Sequence, residues 1–282
     1  MKTALKFIVV ASCCIFVQTL AVEKDEVSEP PQTNNANQSD SGENIVTGAK
    51  AWALGSSAML IERNHGRHDL LGTAVRTDHY AERMKSFLKT SGWDINNRDD
   101  LLENLQWVEK GGHRIIFEKQ GEYLKGLDSQ EYEQVLDKSK YDRKELQRIK
   151  IAKEYYLKLG QKSLLGWDYS RYICLCRWGY MAGYLTEDEV WKRIMPVAVL
   201  LQKHFDSWED LGQNYIIGRQ FWSYQATQES GYMFEDAYQR LLDMPSSPWN
   251  KLPWNLDLRE EKTDNDPNAP GGEDITKDEI TN

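Results

Sequence analysis

Between Gly166 and Trp222 the chain sets Trp, Tyr and Gly at helical spacing in three successive runs, WDYSRYICLCRWGYMAGY, TEDEVWKR and SWEDLGQNYIIGRQFW. Large rings interleaved with residues that let backbones approach describe one dense helical core. None of these runs contains a recognisable catalytic fingerprint. The block therefore constrains architecture far more than chemistry.

Aromatic residues also mark where the folded unit begins and ends. Residues 22–51 and 255–282 contain no Phe, Trp or Tyr, whereas all ten Trp lie between Trp52 and Trp254. A polar segment without aromatics cannot bury enough surface to offset the entropy of ordering it. The expected organisation is a single compact multi-helix domain, all-α, over residues 47–254. A disordered linker over 22–46 precedes it and a disordered acidic tail over 255–282 follows.

The first 21 residues have the form of a secretory signal. Lys2 and Lys6 supply a positive start, residues 5–17 an apolar stretch, and Thr19-Leu20-Ala21 a small-residue cleavage site between Ala21 and Val22. Two other readings share the stretch. Val10-Ala11-Ser12-Cys13 resembles a lipobox, which would lipidate Cys13, and residues 5–22 could be an uncleaved anchor at the short end of the roughly 17 to 25 residues that a span needs. All three place the domain outside the cytoplasm. The expectation is a secreted or periplasmic protein that meets a membrane only through its N-terminal segment.

The formal charge is −9, and −11 once Lys2 and Lys6 leave with the signal, because no acidic residue precedes Val22. Such a chain is a poor match for a phosphate backbone, so no nucleic-acid partner is expected. The one locally basic stretch, KSKYDRKELQRIKIAK, reads as the solvated face of a helix whose Leu146, Ile149, Ala152, Tyr156 and Leu159 turn inward. Cys174 and Cys176 are the cysteines left after cleavage. Two positions apart on a helix they point about 200° from each other, and their apolar neighbours mark them as buried thiols.

Helix signals run along the whole domain. Residues 52–63 and 80–89 form the first two helices, and Asn97 caps one carrying Leu101, Leu102, Leu105 and Val108 that Gly111-Gly112 ends. A helix over 113–124 comes next, with a strand over 114–117 as its competitor, followed by a helix over 130–137. Residues 169–184 are apolar on nearly every side and so central, with Gly179 and Gly183 four apart for close helix approach. Thr186-Glu187-Asp188-Glu189 has the form of a capping box. It opens a helix with Pro196 inside, where a kink is expected. Ser207 caps the next helix, with Trp208, Leu211, Tyr215, Gly218 and Trp222 on one face.

Read in order, GWDINNRDDLLENLQWVEKGGHR, WDYSRYICLCRWGYMAGYLTEDEVW, LQKHFDSWEDLGQNYIIGRQFW and SPWNKLPW resemble the bacterial family known as domain of unknown function 1266. The resemblance covers about residues 52–254. It implies a helical domain, often from Gram-negative bacteria, and no established reaction. Many relatives look cytoplasmic, so the signal-like start is a departure.

The sharpest site candidates are polar residues inside these motifs. Asp168, Arg171, Arg177, Glu209, Asp210 and Arg219 adjoin apolar positions on helices expected to be buried, and such side chains are rarely buried unless paired. A structural ion-pair network is the leading expectation. Catalytic candidates are His113, Asp168, Glu209 and Arg219, with His113 expected to cap or pack at a helix start. Asn64-His65-Gly66-Arg67-His68-Asp69, with His79 nearby, gives the one metal-like pattern, but its glycine and charges suggest an exposed loop, and no metal or cofactor is expected. Gly-rich phosphate loops, Gly-x-Ser-x-Gly and His-Glu-x-x-His are absent, and Ser56, Ser57 and Ser170 lack an evident base. Two functions remain in view. The first is a non-enzymatic extracytoplasmic module binding a protein or peptide partner. The alternative is an envelope hydrolase in which at least two of His113, Asp168, Glu209 and Arg219 converge in a concave pocket.

Overall fold

The computed structural model describes residues 45–72 and 77–259. The expected signal with Ala21, Val22 and Cys13, the linker up to residue 44 and the tail from residue 260 lie outside them. Among the described residues the fold is all-α, with no strand. The helices are α1 Gly48–Gly55, α2 Ala58–Arg63, α3 Asp78–Thr90, α4 Arg98–Glu109, α5 Arg114–Lys125 and α6 Ser129–Ser139. They continue with α7 Arg143–Leu159, α8 Leu165–Met181, α9 Glu187–His204, α10 Trp208–Trp222, α11 Tyr224–Asp243 and the short α12 Pro248–Lys251. None is long and apolar enough to cross a membrane.

Several starts follow from local chemistry. The Asn97 side chain accepts from the Asp100 N–H and that of Ser207 from the Asp210 N–H, while Thr186 and Glu189 complete a reciprocal capping box. Each satisfies backbone donors that a helix start otherwise leaves unpaired, contributing about 1 kcal/mol. Pro196 sits inside a helix that runs on from Glu187 to His204. The expected strand over 114–117 is instead the first turn of α5. Phe117, Gly121 and Leu124 are buried there at i, i+4 and i+7, a helical period that a strand would split between two faces.

Helix α8 is the axis of the molecule. Every residue from Gly166 to Gly179 is buried, because α2, α3, α4, α9 and α10 surround it. It begins four residues earlier than its apolar run suggests, since Asn214 of α10 supplies its start. Asn214 accepts from the Gly166 N–H at 2.9 Å and donates to the Ser163 carbonyl at 2.8 Å. Of the two glycines expected to admit a neighbour, Gly179 does so. A Cβ there would lie 2.4 Å from Leu101 of α4, whereas Gly183 stands beyond the helix with φ +79°. Cys174 and Cys176 are buried free thiols, and burial pushes the Cys176 thiol up.

The motif SPWNKLPW closes the domain. Trp52, Trp208 and Trp254 meet with ring centroids 4.6–4.9 Å apart, and Trp249 stacks on Trp208 at 6.1 Å. Each indole N–H donates to a distant carbonyl: Trp52 to Trp254, Trp208 to Leu252, Trp249 to Gly55 and Trp254 to Phe205. The first and last described elements are thus joined by apolar area and by backbone bonding together.

Candidate functional site

Asp168, in the first turn of α8, has no exposed surface and serves a different helix from its own. Its Oδ1 accepts from the His113 N–H at 3.2 Å and from Arg171 Nη2 at 2.7 Å. Its Oδ2 accepts from the Arg114 N–H at 3.1 Å and from Arg114 Nη1 at 3.2 Å. The carboxylate therefore caps the start of α5, whose own N-cap residue His113 makes no side-chain cap. A charged acceptor at a helix N-terminus gains from the oriented N–H groups and from the dipole. Gly112 makes the approach possible, with φ +52° and room so tight that a Cβ would lie 2.5 Å from Asp168 Oδ2.

The cations around this carboxylate are held on both sides. Arg171 donates through Nε to the Trp167 carbonyl at 3.2 Å and lies 4.0 Å from the centre of the Trp167 ring. Arg114 donates to the Val108 carbonyl at 3.0 Å and lies 4.7 Å from the Tyr169 ring. Burial pushes the Asp168 carboxyl up, but the charges of Arg171 and Arg114 hold it below its ordinary value. Arg171 Nη2 also stands 2.9 Å from His113 Nδ1, while Asp168 Oδ1 is 3.5 Å from the same nitrogen. An arginine cannot accept a proton, so that contact assigns the lone pair to Nδ1 and the proton of the neutral ring to Nε2. Burial and then the Arg171 charge push His113 down to about 4. An imidazole whose lone pair is already engaged is a poor general base, and the ensemble works as a clamp on the α4–α5 turn.

The remaining ion-pair candidates stand in three other places. Arg177 donates to the carbonyls of Leu71, Arg67 and Leu70 at 3.3, 2.9 and 2.8 Å and to Ser57 Oγ at 3.3 Å. It neutralises carbonyl dipoles where a carboxylate partner was expected, and burial pulls its guanidinium below its ordinary value. Arg219 donates to the Ala226 carbonyl at 2.9 Å and Ser230 Oγ at 2.7 Å, with its guanidinium 4.1 Å from the Phe234 ring. Glu209 is exposed and Asp210 half-buried, where it pairs with Lys162 at 2.6 Å. Both belong to the first turn of α10, where acidic side chains favour the helix dipole.

Of the four catalytic candidates, His113 and Asp168 are brought together, and Glu209 and Arg219 are held elsewhere. None of the four lines the grooves of about 690 and 520 Å³ beside α7 and beside α1. In the histidine pattern His68 Nε2 meets Glu62 Oε2 at 2.9 Å, and Glu62 also takes Arg240 at 2.8 Å. His65 is exposed at φ +54°, and no group of three or more His, Cys, Asp or Glu among the described residues could hold a metal ion. Ser170 donates to the Ser56 carbonyl at 2.7 Å, while Ser56 and Ser57 donate to carbonyls three residues back.

Sequence reasoning passed over the outer face of the clamp. Trp107, Ile115 and Ile116 are 39%, 40% and 39% exposed, and Trp107 is the one exposed tryptophan of the ten. Its ring meets the His113 edge at 5.0 Å, and its carbonyl accepts from the Gly112 N–H at 3.0 Å. The signal was present, since neither Ile115 nor Ile116 falls on the Phe117, Gly121, Leu124 stripe.

Fold and site together define the class of protein: an all-α domain organised around a buried central helix, with buried side chains that cap other helices. The chain belongs to the family described as protein of unknown function (DUF1266), whose model matches residues 90–254. It is 24% identical over 202 residues to the uncharacterized protein YbeU of Escherichia coli (strain K12), across 66% of this chain and 85% of that protein. No solved structure matches it significantly.

Proposed function

We propose that this protein is a non-enzymatic interaction module, acting outside the cytoplasm, that binds a protein or peptide partner through the α4–α5 turn. The observation that carries the reading is the trio Trp107, Ile115 and Ile116, large apolar side chains exposed within ten residues of sequence. Exposed aromatic anchors on a rigid support are characteristic of binding surfaces. The support here is the Asp168 clamp, which fixes the turn from behind. The extracytoplasmic part of the proposal rests on the signal-like residues 1–21.

The hydrolase alternative keeps one favourable observation, the meeting of His113 and Asp168. Against it stand the engaged Nδ1, the exposed position of Glu209 and the separate seat of Arg219. The test is mild crosslinking and affinity capture from the native envelope, comparing the wild type with a Trp107→Ser, Ile116→Ser variant shown to be folded by circular dichroism. A partner captured by the wild type and lost by the variant supports the proposal. Equal capture by both would remove this turn as the binding surface, and an exclusively cytoplasmic fractionation of the chain would remove the location.

A further inference from the structure

The groove of about 690 Å³ lies between α7 and the α10–α11 junction, and its walls contrast with the acidic chain around it. Lys140, Arg143 and Lys150 line it and no Asp or Glu does, in a chain carrying 44 acidic against 35 basic side chains. Lys140 pairs with Asp137 at 2.8 Å, whereas Arg143 and Lys150 form no ion pair among the described residues. Leu146, Ile151 and Tyr224 add apolar surface to the lining, with Gln147, Gln220 and Thr227 beside them. A site of this make-up fits an extended segment that alternates carboxylates with aliphatic side chains.

The chain itself carries such a segment. Residues 273–281 read EDITKDEIT, twice presenting two acids followed by isoleucine and threonine: Glu273-Asp274-Ile275-Thr276 and Asp278-Glu279-Ile280-Thr281. The thirteen residues 260–272 that lead to it from the last described residue can span about 45 Å when extended, against a radius of gyration of about 17 Å for a folded unit of this size. Trp208 at the start of α10 packs on Trp254, and Gln220 near the other end of the same helix lines the groove, about 18 Å away along the axis, so the groove is within reach. We propose that the groove beside α7 is a docking site for an acidic peptide and that its occupant is this chain's own segment 273–281, the carboxylates meeting Lys140, Arg143 and Lys150 and the isoleucines meeting Leu146, Ile151 and Tyr224.

The groove of about 690 Å³ falls in the size range of ligand clefts, roughly 300–1,000 Å³. Tethering keeps the local concentration of the segment high, so weak contacts suffice. An external acidic peptide would then bind only by displacing the segment.

The test is zero-length carbodiimide crosslinking of the full chain at low ionic strength, with the joined peptides mapped by mass spectrometry. The Lys162 pairs with Asp206 and Asp210, at 3.0 and 2.6 Å, serve as an internal reference. The expected result is Lys140 or Lys150 joined to carboxylates of 273–279 within one copy, well above the links from that segment to Lys158 or Lys192. Arg143→Glu leaves every lysine reactive and should lower that yield about fivefold, as reversal of one surface charge would. Ile275→Ser with Ile280→Ser keeps every carboxylate and should lower it too. Reference links forming while 273–279 joins no lysine, or joins all exposed lysines equally, would overturn the proposal. So would links found only between isotopically distinct copies, which would make a second copy the occupant.

Discussion

Arg171 and Arg177 leave the same buried helix six residues apart and are satisfied in opposite ways. Arg171 meets a carboxylate, a neutral imidazole and two indole rings, whereas Arg177 meets carbonyl oxygens and one hydroxyl. The first arrangement holds charge against charge around the start of α5. The second spreads one charge over the dipoles of residues 67–71. Removing one member of the first strands other charges in a medium that solvates them poorly, and removing Arg177 strands neutral acceptors. Both fasten a connecting segment onto α8, with different energetic stakes.

The largest effect should come from Asp168→Ala, which leaves Arg114 and Arg171 without their shared carboxylate and two N–H groups of α5 uncapped. Loss of a partner from a buried ion cluster costs about 3–5 kcal/mol, read as the shift of a urea unfolding midpoint. Next comes a pH dependence peculiar to this end of α8. The folded His113 titrates at about 4 against an ordinary 6.5, so as pH falls the unfolded chain takes the proton first. The contribution is whole above about pH 6.5 and is lost as pH drops towards 4, with a limit of about 3 kcal/mol. Subtracting the profile of His113→Gln isolates it, because His68 is also pushed down by burial and acts with the same sign. An unchanged profile in that variant would contradict the assignment of a neutral ring.

Arg177→Met should cost less, about 2 kcal/mol, since what it exposes is unpaired carbonyls. Hydrogen exchange should rise first around residues 67–72 and leave α5 protected. Gly112→Ala ranks below it at about 1–2 kcal/mol, from a left-handed backbone and a Cβ driven onto Asp168, measured by thermal unfolding. The smallest effect on stability belongs to Ile116→Ser on the exposed face, within about 1 kcal/mol, while partner capture falls. Stability and binding would then separate along the same turn.

What the sequence revealed depended on how far each partner lies along the chain. Asn97, Thr186 and Ser207 cap the helix that follows them immediately, so residue type and a spacing of three suffice to read them. Asp168 and Asn214 perform the same task for α5 and α8, but their partners lie 54 and 48 residues away, where no periodicity points. The apolar neighbours of Glu209 and Asp210 suggested burial, yet a capped first turn leaves side chains facing solvent before the helix meets its packing partners. Arg219 was legible as a buried cation, and its seat over Phe234 required knowing how α11 folds back on α10. Trp107 drew no reading of its own, since nothing in its immediate sequence distinguishes it from the nine other tryptophans, which are buried or half-buried.

The most direct measurement is a pair of double-mutant cycles on unfolding free energy, Asp168→Asn with Arg171→Met and Asp168→Asn with Arg177→Met. Asp168 touches Arg171 at 2.7 Å, whereas Arg177 lies nine residues further on, about 13 Å along the helix axis. The first cycle should give a coupling of about 1–3 kcal/mol, and the second should be additive within about 0.5 kcal/mol. Additivity in the first cycle, or equal coupling in both, would contradict the account of two independent fasteners on α8.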